Sequence, residues 1–151
     1  MSDNSRGRGS VSAGLDNMTC DVIGACLDEL ALEGALDIVA CVEDEKGARA
    51  MVRIDDDGEE ACIEAARDYV ARAGRGTVDA EGAGHAVRYA VAALGFVEDE
   101  GGVPCDALLV SFGEKGAPTG YSAYVFVDGL GQGDGFMWSD PEPAGEEPLL
   151  L

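Results

Sequence analysis

One cysteine and one histidine are the residues of this chain best suited to nucleophilic chemistry. His85 is the sole histidine, and Cys105 follows Pro104 at the start of a predicted strand. A cysteine hydrolase needs these two side chains within hydrogen-bond distance, together with a third group that orients the histidine. Asp106 opposes this chemistry, because a neighbouring carboxylate raises the pKa of a thiol. We therefore predict an idle thiol, and a cysteine-dependent enzyme that uses Cys105 and His85 is an alternative.

An acidic run at residues 55–58 suggests calcium binding. When Gly58 is placed at the invariant glycine of an EF-hand loop, Asp55, Asp57 and Glu64 fall at ligand positions. Arg53 then occupies the first ligand position, and a predicted strand precedes the loop where an EF-hand has a helix. We therefore interpret the run as the acidic start of a helix, where carboxylates interact favourably with the helix dipole.

The densest glycine segment, residues 129–136, suggests either a calcium-binding β-roll or a phosphate-binding loop. A β-roll requires repeats, which this chain lacks, and a P-loop requires a lysine after its glycines. We predict a glycine-rich turn there. No metal site and no cofactor is predicted anywhere in the chain.

Aromatic residues concentrate in the last third of the chain and are the best candidates for a binding surface. Strand alternation places Tyr124 and Phe126 on one face, and Phe136 and Trp138 follow in a short segment near a sheet edge. Tyrosine and tryptophan often anchor protein interfaces. We predict that these four residues form a contact patch with Trp138 as its anchor, and core packing is the alternative.

Hydrophobic periodicity predicts the elements that must position these residues. A first helix runs from about Asp16, with Asp16 or Asn17 as its N-cap, to Glu33 before Gly34. The other predicted elements are a hairpin of Leu36–Val42 and Ala48–Ile54, a helix over Gly58–Ala73, three strands at Ala86–Val97, Ala107–Phe112 and Tyr121–Val127, and an edge strand at Phe136–Trp138. Residues 86–97 also contain good helix formers, but the alternation of Val87, Tyr89 and Val91 favours a strand.

This order predicts an α+β fold: a helix, a β-hairpin, a second helix and an antiparallel meander of three or four strands, with the helices packed on a single sheet. Roadblock-like and profilin-like domains have a similar order of elements, and that resemblance implies a largely non-catalytic interaction module. We expect a flexible leader at 1–14, a single domain over 15–140, and an acidic, proline-containing tail at 141–151.

Charge restricts the partners that this chain can bind. It has 10 Lys and Arg against 30 Asp and Glu, for a net charge of −20. Such a surface repels phosphate backbones and anionic lipids, so nucleic-acid and membrane partners are not expected. The acidic excess is spread over both halves of the chain. Adaptation to a salt-rich host explains it as well as a basic partner does.

These observations favour a small interaction module that binds a protein partner through its sheet edge and acidic surface. An acidic chaperone, an immunity protein or a DNA mimic that engages a basic partner is an alternative. The five cysteines form no CxxC pair, and no signal peptide is evident, so we expect a cytoplasmic protein with free thiols. An open sheet edge would also allow a homodimer.

Overall fold

Two α-helices and seven β-strands form the described part of a computed structural model, residues 12–54, 59–76 and 85–151. The elements are α1 (Ala13–Glu33), β1 (Ile38–Asp44), β2 (Arg49–Ile54), α2 (Glu59–Gly74), β3 (Ala86–Glu98), β4 (Pro104–Glu114), β5 (Gly120–Asp128), β6 (Met137–Trp138) and β7 (Glu142–Glu147). A short 3-10 helix at Gly133–Gly135 precedes β6. Residues 86–98 are therefore a strand, as alternation predicts.

All seven strands belong to one curled antiparallel sheet, and this corrects the predicted fold class. The sheet order is β2-β1-β3-β4-β5-β6, and β7 also pairs with β5. A helix–hairpin–helix followed by a meander of three or four strands is wrong for two reasons. First, β1 pairs with β3 as well as with β2, which joins the hairpin to the meander. Second, residues from the predicted acidic tail form β7 on β5.

The two helices pack against alternate residues of the same strands. The core around α1 includes Val39, Cys41, Ala90 and Ala92, whereas the cores around α2 include Ile38, Ala40, Val42 and Tyr89. Because successive side chains of a strand point to opposite faces, α1 and α2 lie on opposite faces of the sheet. This arrangement explains why β1 is buried along its whole length. Among the described residues, no helix has the length and apolarity to cross a membrane.

The ends of α1 are fixed by a serine and a glycine. The Ser12 hydroxyl accepts a hydrogen bond from the Leu15 amide at 3.1 Å, so Ser12 is the N-cap and the predicted caps lie inside the helix. Gly34 ends the helix, as predicted, with a φ of 73° that a residue with a Cβ rarely adopts. Its amide donates to the Leu30 carbonyl oxygen.

A row of four charged residues crosses the sheet on the face that α1 covers. Arg49, Glu43, Arg88 and Glu114 are successive cross-strand partners on β2, β1, β3 and β4, and their charges alternate in sign. The Glu43 carboxylate accepts hydrogen bonds from both arginines, from Arg88 Nε at 2.6 Å. Arg88 also donates to Glu114 at 3.0 Å and to the Asp44 carbonyl oxygen at 3.1 Å. We call these four residues the charge row.

Glu43 is the central member of the charge row and is only 4% exposed. Burial by itself would raise the pKa of this carboxyl, but hydrogen bonds from Arg49 and Arg88 outweigh that effect and lower the pKa below its ordinary value. Glu43 therefore remains ionised in the folded protein. A buried carboxylate of this kind is stable only while both guanidinium partners are in place.

Two further ion pairs connect α1 to β2. Asp21 pairs with Arg49 at 2.8 Å, and Glu29 pairs with Arg53 at 2.7 Å. The two acids are separated by about 12 Å of helix, and the two arginines by about 13 Å of strand. Because these lengths match, α1 runs along β2 in the same direction.

The last residues of the chain cover the opposite face of the sheet. Tyr89 is fully buried there above two glycines, since a Cβ on Gly113 or Gly120 would lie 2.7 or 2.8 Å from the tyrosine side chain. Its hydroxyl accepts a hydrogen bond from the Leu150 amide at 3.4 Å. The side chains of residues 149–151 pack against the same cluster.

We predict that Glu43→Gln lowers the free energy of unfolding by about 2–4 kcal/mol at pH 7, because it leaves two partly buried arginines without their shared carboxylate. Urea titration measures this loss, with Glu33→Gln on the exposed end of α1 as the control.

Because the pKa of Glu43 is lowered in the folded state, the contribution of Glu43 to the free energy of unfolding is complete above about pH 4.3 and is lost as the pH falls through the folded pKa. The two proteins should therefore converge in stability on acidification, and a constant difference down to about pH 2 would contradict this account.

Candidate functional site

An open groove of about 690 Å³ lies between α1 and the segment around β6. Its walls are mainly apolar. They include Ile23, Leu27 and Ala31 from α1, Val125 from β5, and Phe136 and Trp138. We call it the α1–β6 groove. Its concave, mainly apolar lining makes it the candidate binding site.

Trp138 forms one wall of the groove. It pairs with Val127 in the sheet, so its side chain lies on the face that carries α1. The indole stacks on the Phe136 ring with centroids 5.8 Å apart. Phe136 is 6% exposed and belongs to the core, whereas Trp138 is 60% exposed. The core thus supports an indole whose outer surface is open to a ligand.

Hydrogen bonds hold the chain on both sides of β6. The Ser139 amide donates to the Phe126 carbonyl oxygen, and the Ser139 hydroxyl accepts from the Phe126 amide, each at 2.9 Å. On the other side, the Gly131 amide donates to the Leu30 carbonyl oxygen of α1 at 2.9 Å. A Cβ on Gly129 would lie 2.5 Å from the Gly135 carbonyl oxygen. The glycine-rich turn therefore serves to fold this segment closely onto α1.

The polar side chains of the groove are acidic. Asp28, Asp134 and Asp140 line it, and none of the described residues that line it is lysine, arginine or histidine. All three are exposed. A ligand with an apolar body and positive charges at its ends matches this distribution.

Gly24 lies in the middle of α1 and in the lining of the groove. Nothing lies within 4 Å of the position that its Cβ would take. Glycine inside a helix costs about 1 kcal/mol relative to alanine, and no close approach by the residues that the structure describes explains its presence. It leaves the helix backbone accessible from the groove.

The four aromatic residues predicted to form a patch are divided between two faces. Phe136 and Trp138 meet in the α1–β6 groove. Tyr124 and Phe126 contact each other edge to face, with centroids 5.1 Å apart, on the opposite face of β5. Only the first pair therefore belongs to the groove.

Cys105 and His85 are far apart. His85 directly precedes β3, whereas Cys105 pairs with Val97 near the other end of that strand, so roughly 40 Å of strand separates them. The Cys105 thiol lies 3.4 Å from the Val103 carbonyl oxygen and 3.9 Å from the Asp99 carboxylate. Desolvation and the nearby carboxylates of Asp99 and Asp106 raise the pKa of this thiol. His85 is therefore too far from Cys105 to act as its general base.

The remaining predicted sites contribute no ligand set. The acidic run at 55–58 lies outside the described residues. Within residues 12–54, 59–76 and 85–151, no group of three or more histidine, cysteine and acidic side chains is placed to hold a metal ion. Comparison with models of known protein families, with curated proteins and with solved structures finds no match for this chain.

The wall of the groove that α1 provides was not predicted from the sequence. Ile23 belongs to the core around α1, and Leu27 and Ala31 pack against that core, so with Cys20 they widen the apolar face of α1 as far as the groove. A helix that packs on one sheet needs a single stripe about 100° wide. The apolar face of α1 is wider than this and includes Gly24, and that width was the sequence feature that could have indicated the groove.

We predict that Gly24→Ala raises the free energy of unfolding by about 0.5–1 kcal/mol, because it favours the helix and meets no neighbouring atom. Gly34→Ala is the matched control and should lower stability, since its φ of 73° is strained for alanine. Urea titration of both variants measures the changes. A destabilised Gly24→Ala protein would show that the position is tightly packed.

We also predict that Cys105 is alkylated by iodoacetamide at neutral pH no faster than an ordinary thiol, because its pKa is raised. The rate should increase as the pH approaches and passes 9, and His85→Ala should leave it unchanged. Mass spectrometry of the peptide that contains Cys105 measures the rate. A fast reaction near pH 7 that depends on His85 would instead support the cysteine-enzyme alternative.

Proposed function

We propose that this protein is a non-catalytic interaction module that binds an apolar segment of another protein, flanked by lysine or arginine, in the α1–β6 groove. The observation that carries the proposal is an apolar groove with a 60% exposed tryptophan and three aspartates but no basic side chain in its lining. Tryptophan is among the residues that most often dominate the binding energy of an interface.

Each wall of the groove has a distinct role in this proposal. Ile23, Leu27 and Ala31 bury the apolar side chains of the segment, and Trp138 covers it from the side of β6. Gly24 allows the backbone of the segment to approach α1 closely. The carboxylates of Asp28, Asp134 and Asp140 interact with its basic flanks, where exposed ion pairs add specificity more than affinity.

The net charge of −20 has a kinetic role in this function. A strongly negative surface accelerates encounter with a positive partner and opposes encounter with nucleic acid or anionic membranes. The whole surface thus contributes to selection of a basic partner, while the groove determines which segment is held.

We place this function in a reducing compartment, the cytoplasm. All five cysteines are free thiols. Burial raises the pKa values of Cys26 and Cys41 to about 11, so both are inert core residues. Free thiols persist where glutathione and thioredoxin keep them reduced.

We predict that an amphipathic peptide of leucine and lysine binds the protein and shifts the emission of Trp138, the sole tryptophan, to shorter wavelength. A leucine–glutamate peptide of the same pattern is the charge control and should bind at least about tenfold more weakly. Binding of the lysine peptide should weaken as NaCl rises from about 0.1 M to about 1 M.

Two matched variants locate the binding site. Gly24→Leu fills the groove and should weaken binding at least about tenfold, whereas Ala25→Leu places the same side chain on an exposed position of α1 outside the groove and should not. Calorimetry measures both affinities without relying on the tryptophan signal. Equal binding of the two peptides, or equal affinity of the two variants, would overturn the proposal.

A further inference from the structure

The α1 wall of the α1–β6 groove has the surface pattern on which helices pack. Two parallel rows of residues spaced by four line this wall, namely Cys20, Gly24 and Asp28, and beside them Ile23, Leu27 and Ala31. Such rows interlock when two α-helices pack against each other. The second row is apolar, and we call it the apolar ridge. The first row has no side chain at Gly24, its midpoint.

Gly24 permits a close crossing of a second helix. Nothing that the structure describes lies within 4 Å of the position that its Cβ would take. Packed helices usually have their axes about 8–10 Å apart, and the distance depends on the side chains at the contact. A helix that lies over Gly24 can therefore approach α1 more closely than a helix held off by a longer side chain.

Backbone groups in the walls of the groove are already hydrogen-bonded, which disfavours an extended ligand. The interior of α1 bonds to itself, and Val125 pairs with Leu108 of β4. The Phe126 amide and carbonyl oxygen both bond to Ser139. An extended segment in this apolar groove would leave its own amides and carbonyl oxygens without partners, at a cost in free energy. A helical segment satisfies these groups internally.

The rim of the groove at β6 is too short to act as a sheet edge for an added strand. β6 consists of Met137–Trp138 alone. Beyond it, the Asp140 carbonyl oxygen accepts a hydrogen bond from the Ser139 hydroxyl at 3.0 Å, and Pro141 has no amide to donate. Addition of a strand needs a continuous row of free backbone groups along the edge. The groove is therefore better suited to a helix.

The length of the groove also favours a helix. Its lining extends from Cys20 to Ala31, about 17 Å along α1. A helix of this length has about 11 residues and presents apolar side chains at positions i, i+3, i+4 and i+7. An extended segment covers the same distance with about five residues and turns only about half of them toward one face. The helix thus buries more apolar surface.

Carboxylates lie on both walls of the groove. Asp28 belongs to α1, whereas Asp134 and Asp140 belong to the segment around β6. An amphipathic helix has an apolar stripe with a polar border on each side. Lysine or arginine on both borders would therefore meet a carboxylate on each wall.

We propose, on the basis of the function proposed above, that the segment held in the α1–β6 groove is an amphipathic α-helix of about three turns with lysine or arginine along both borders of its apolar stripe. The stripe packs between the apolar ridge of α1 and Trp138, and the helix crosses α1 most closely at Gly24. Its basic borders lie beside Asp28 and Asp140. Because helices this short are marginal in water, a segment that is unfolded when free becomes helical when it binds.

Two leucine–lysine peptides of about 14 residues test the proposal. Both place leucine at helical spacing with lysine on both borders. They differ only at one central position on the side opposite the stripe, which is alanine in one and proline in the other. Proline inside a helix removes a backbone hydrogen bond and clashes with the preceding turn, so the proline peptide should bind at least about a hundredfold more weakly. Calorimetry measures both affinities.

Circular dichroism tests whether the alanine peptide folds when it binds. The complex should show more helix than the sum of the separate protein and peptide. A complex without this gain, or a proline peptide that binds as tightly as the alanine peptide, would overturn the helical segment and leave the proposed function standing. If neither peptide binds, the proposed function fails as well.

Gly24→Ala tests the close crossing. The added methyl group meets no described atom of the free protein, so the variant should be at least as stable as the wild type. It should nevertheless bind the alanine peptide at least about fivefold more weakly, because the methyl group overfills the contact between the two helices. Ala25→Leu, at an exposed position of α1 outside the groove, is the control and should bind normally. Wild-type affinity of Gly24→Ala would overturn the crossing at Gly24.

Discussion

The carboxylate of Glu43, held between two arginines on neighbouring strands, is the constraint on which the rest of the structure depends. Every member of the charge row pairs with the next one directly across the sheet, so the row fixes the relative register of β2, β1, β3 and β4. A slip of one residue would turn Glu43 toward the face under α2 and away from Arg49 and Arg88, its two hydrogen-bond partners. Through Arg49 and Asp21 the same row orients α1, and α1 supplies one wall of the candidate site.

Local sequence pattern was sufficient to predict the helices and most strands. Apolar residues spaced by four, followed by Gly34, identify α1 without any knowledge of its neighbours. The sheet order was not predictable in this way, because the β1–β3 pairing, which includes Glu43 opposite Arg88, joins segments that are distant in the chain. Glu43 lies just beyond the predicted strand Leu36–Val42, so its place in the sheet was not expected. β7 was missed because its pairing uses backbone groups and needs no apolar side chains.

The candidate site shows a similar division. The sequence predicted an edge strand at Phe136–Trp138, and the structure has β6 at Met137–Trp138 with Phe136 directly before it. Their separation from Tyr124 and Phe126 depends on a single register, Val127 opposite Trp138, which alternation within one strand cannot reveal. The separation of Cys105 from His85 likewise depends on how far β3 extends before the chain reverses.

The Leu30 carbonyl oxygen receives two amides, one from Gly34 at the end of α1 and one from Gly131 in the turn before β6. Both walls of the α1–β6 groove are therefore attached to one backbone atom, and widening the groove requires the hydrogen bond between Gly131 and Leu30 to break. The entropic cost of ordering this groove is therefore incurred when the chain folds, before any ligand would bind. In the proposed function, a bound segment would dock on this groove largely as a rigid body, and any folding on binding would take place in that segment.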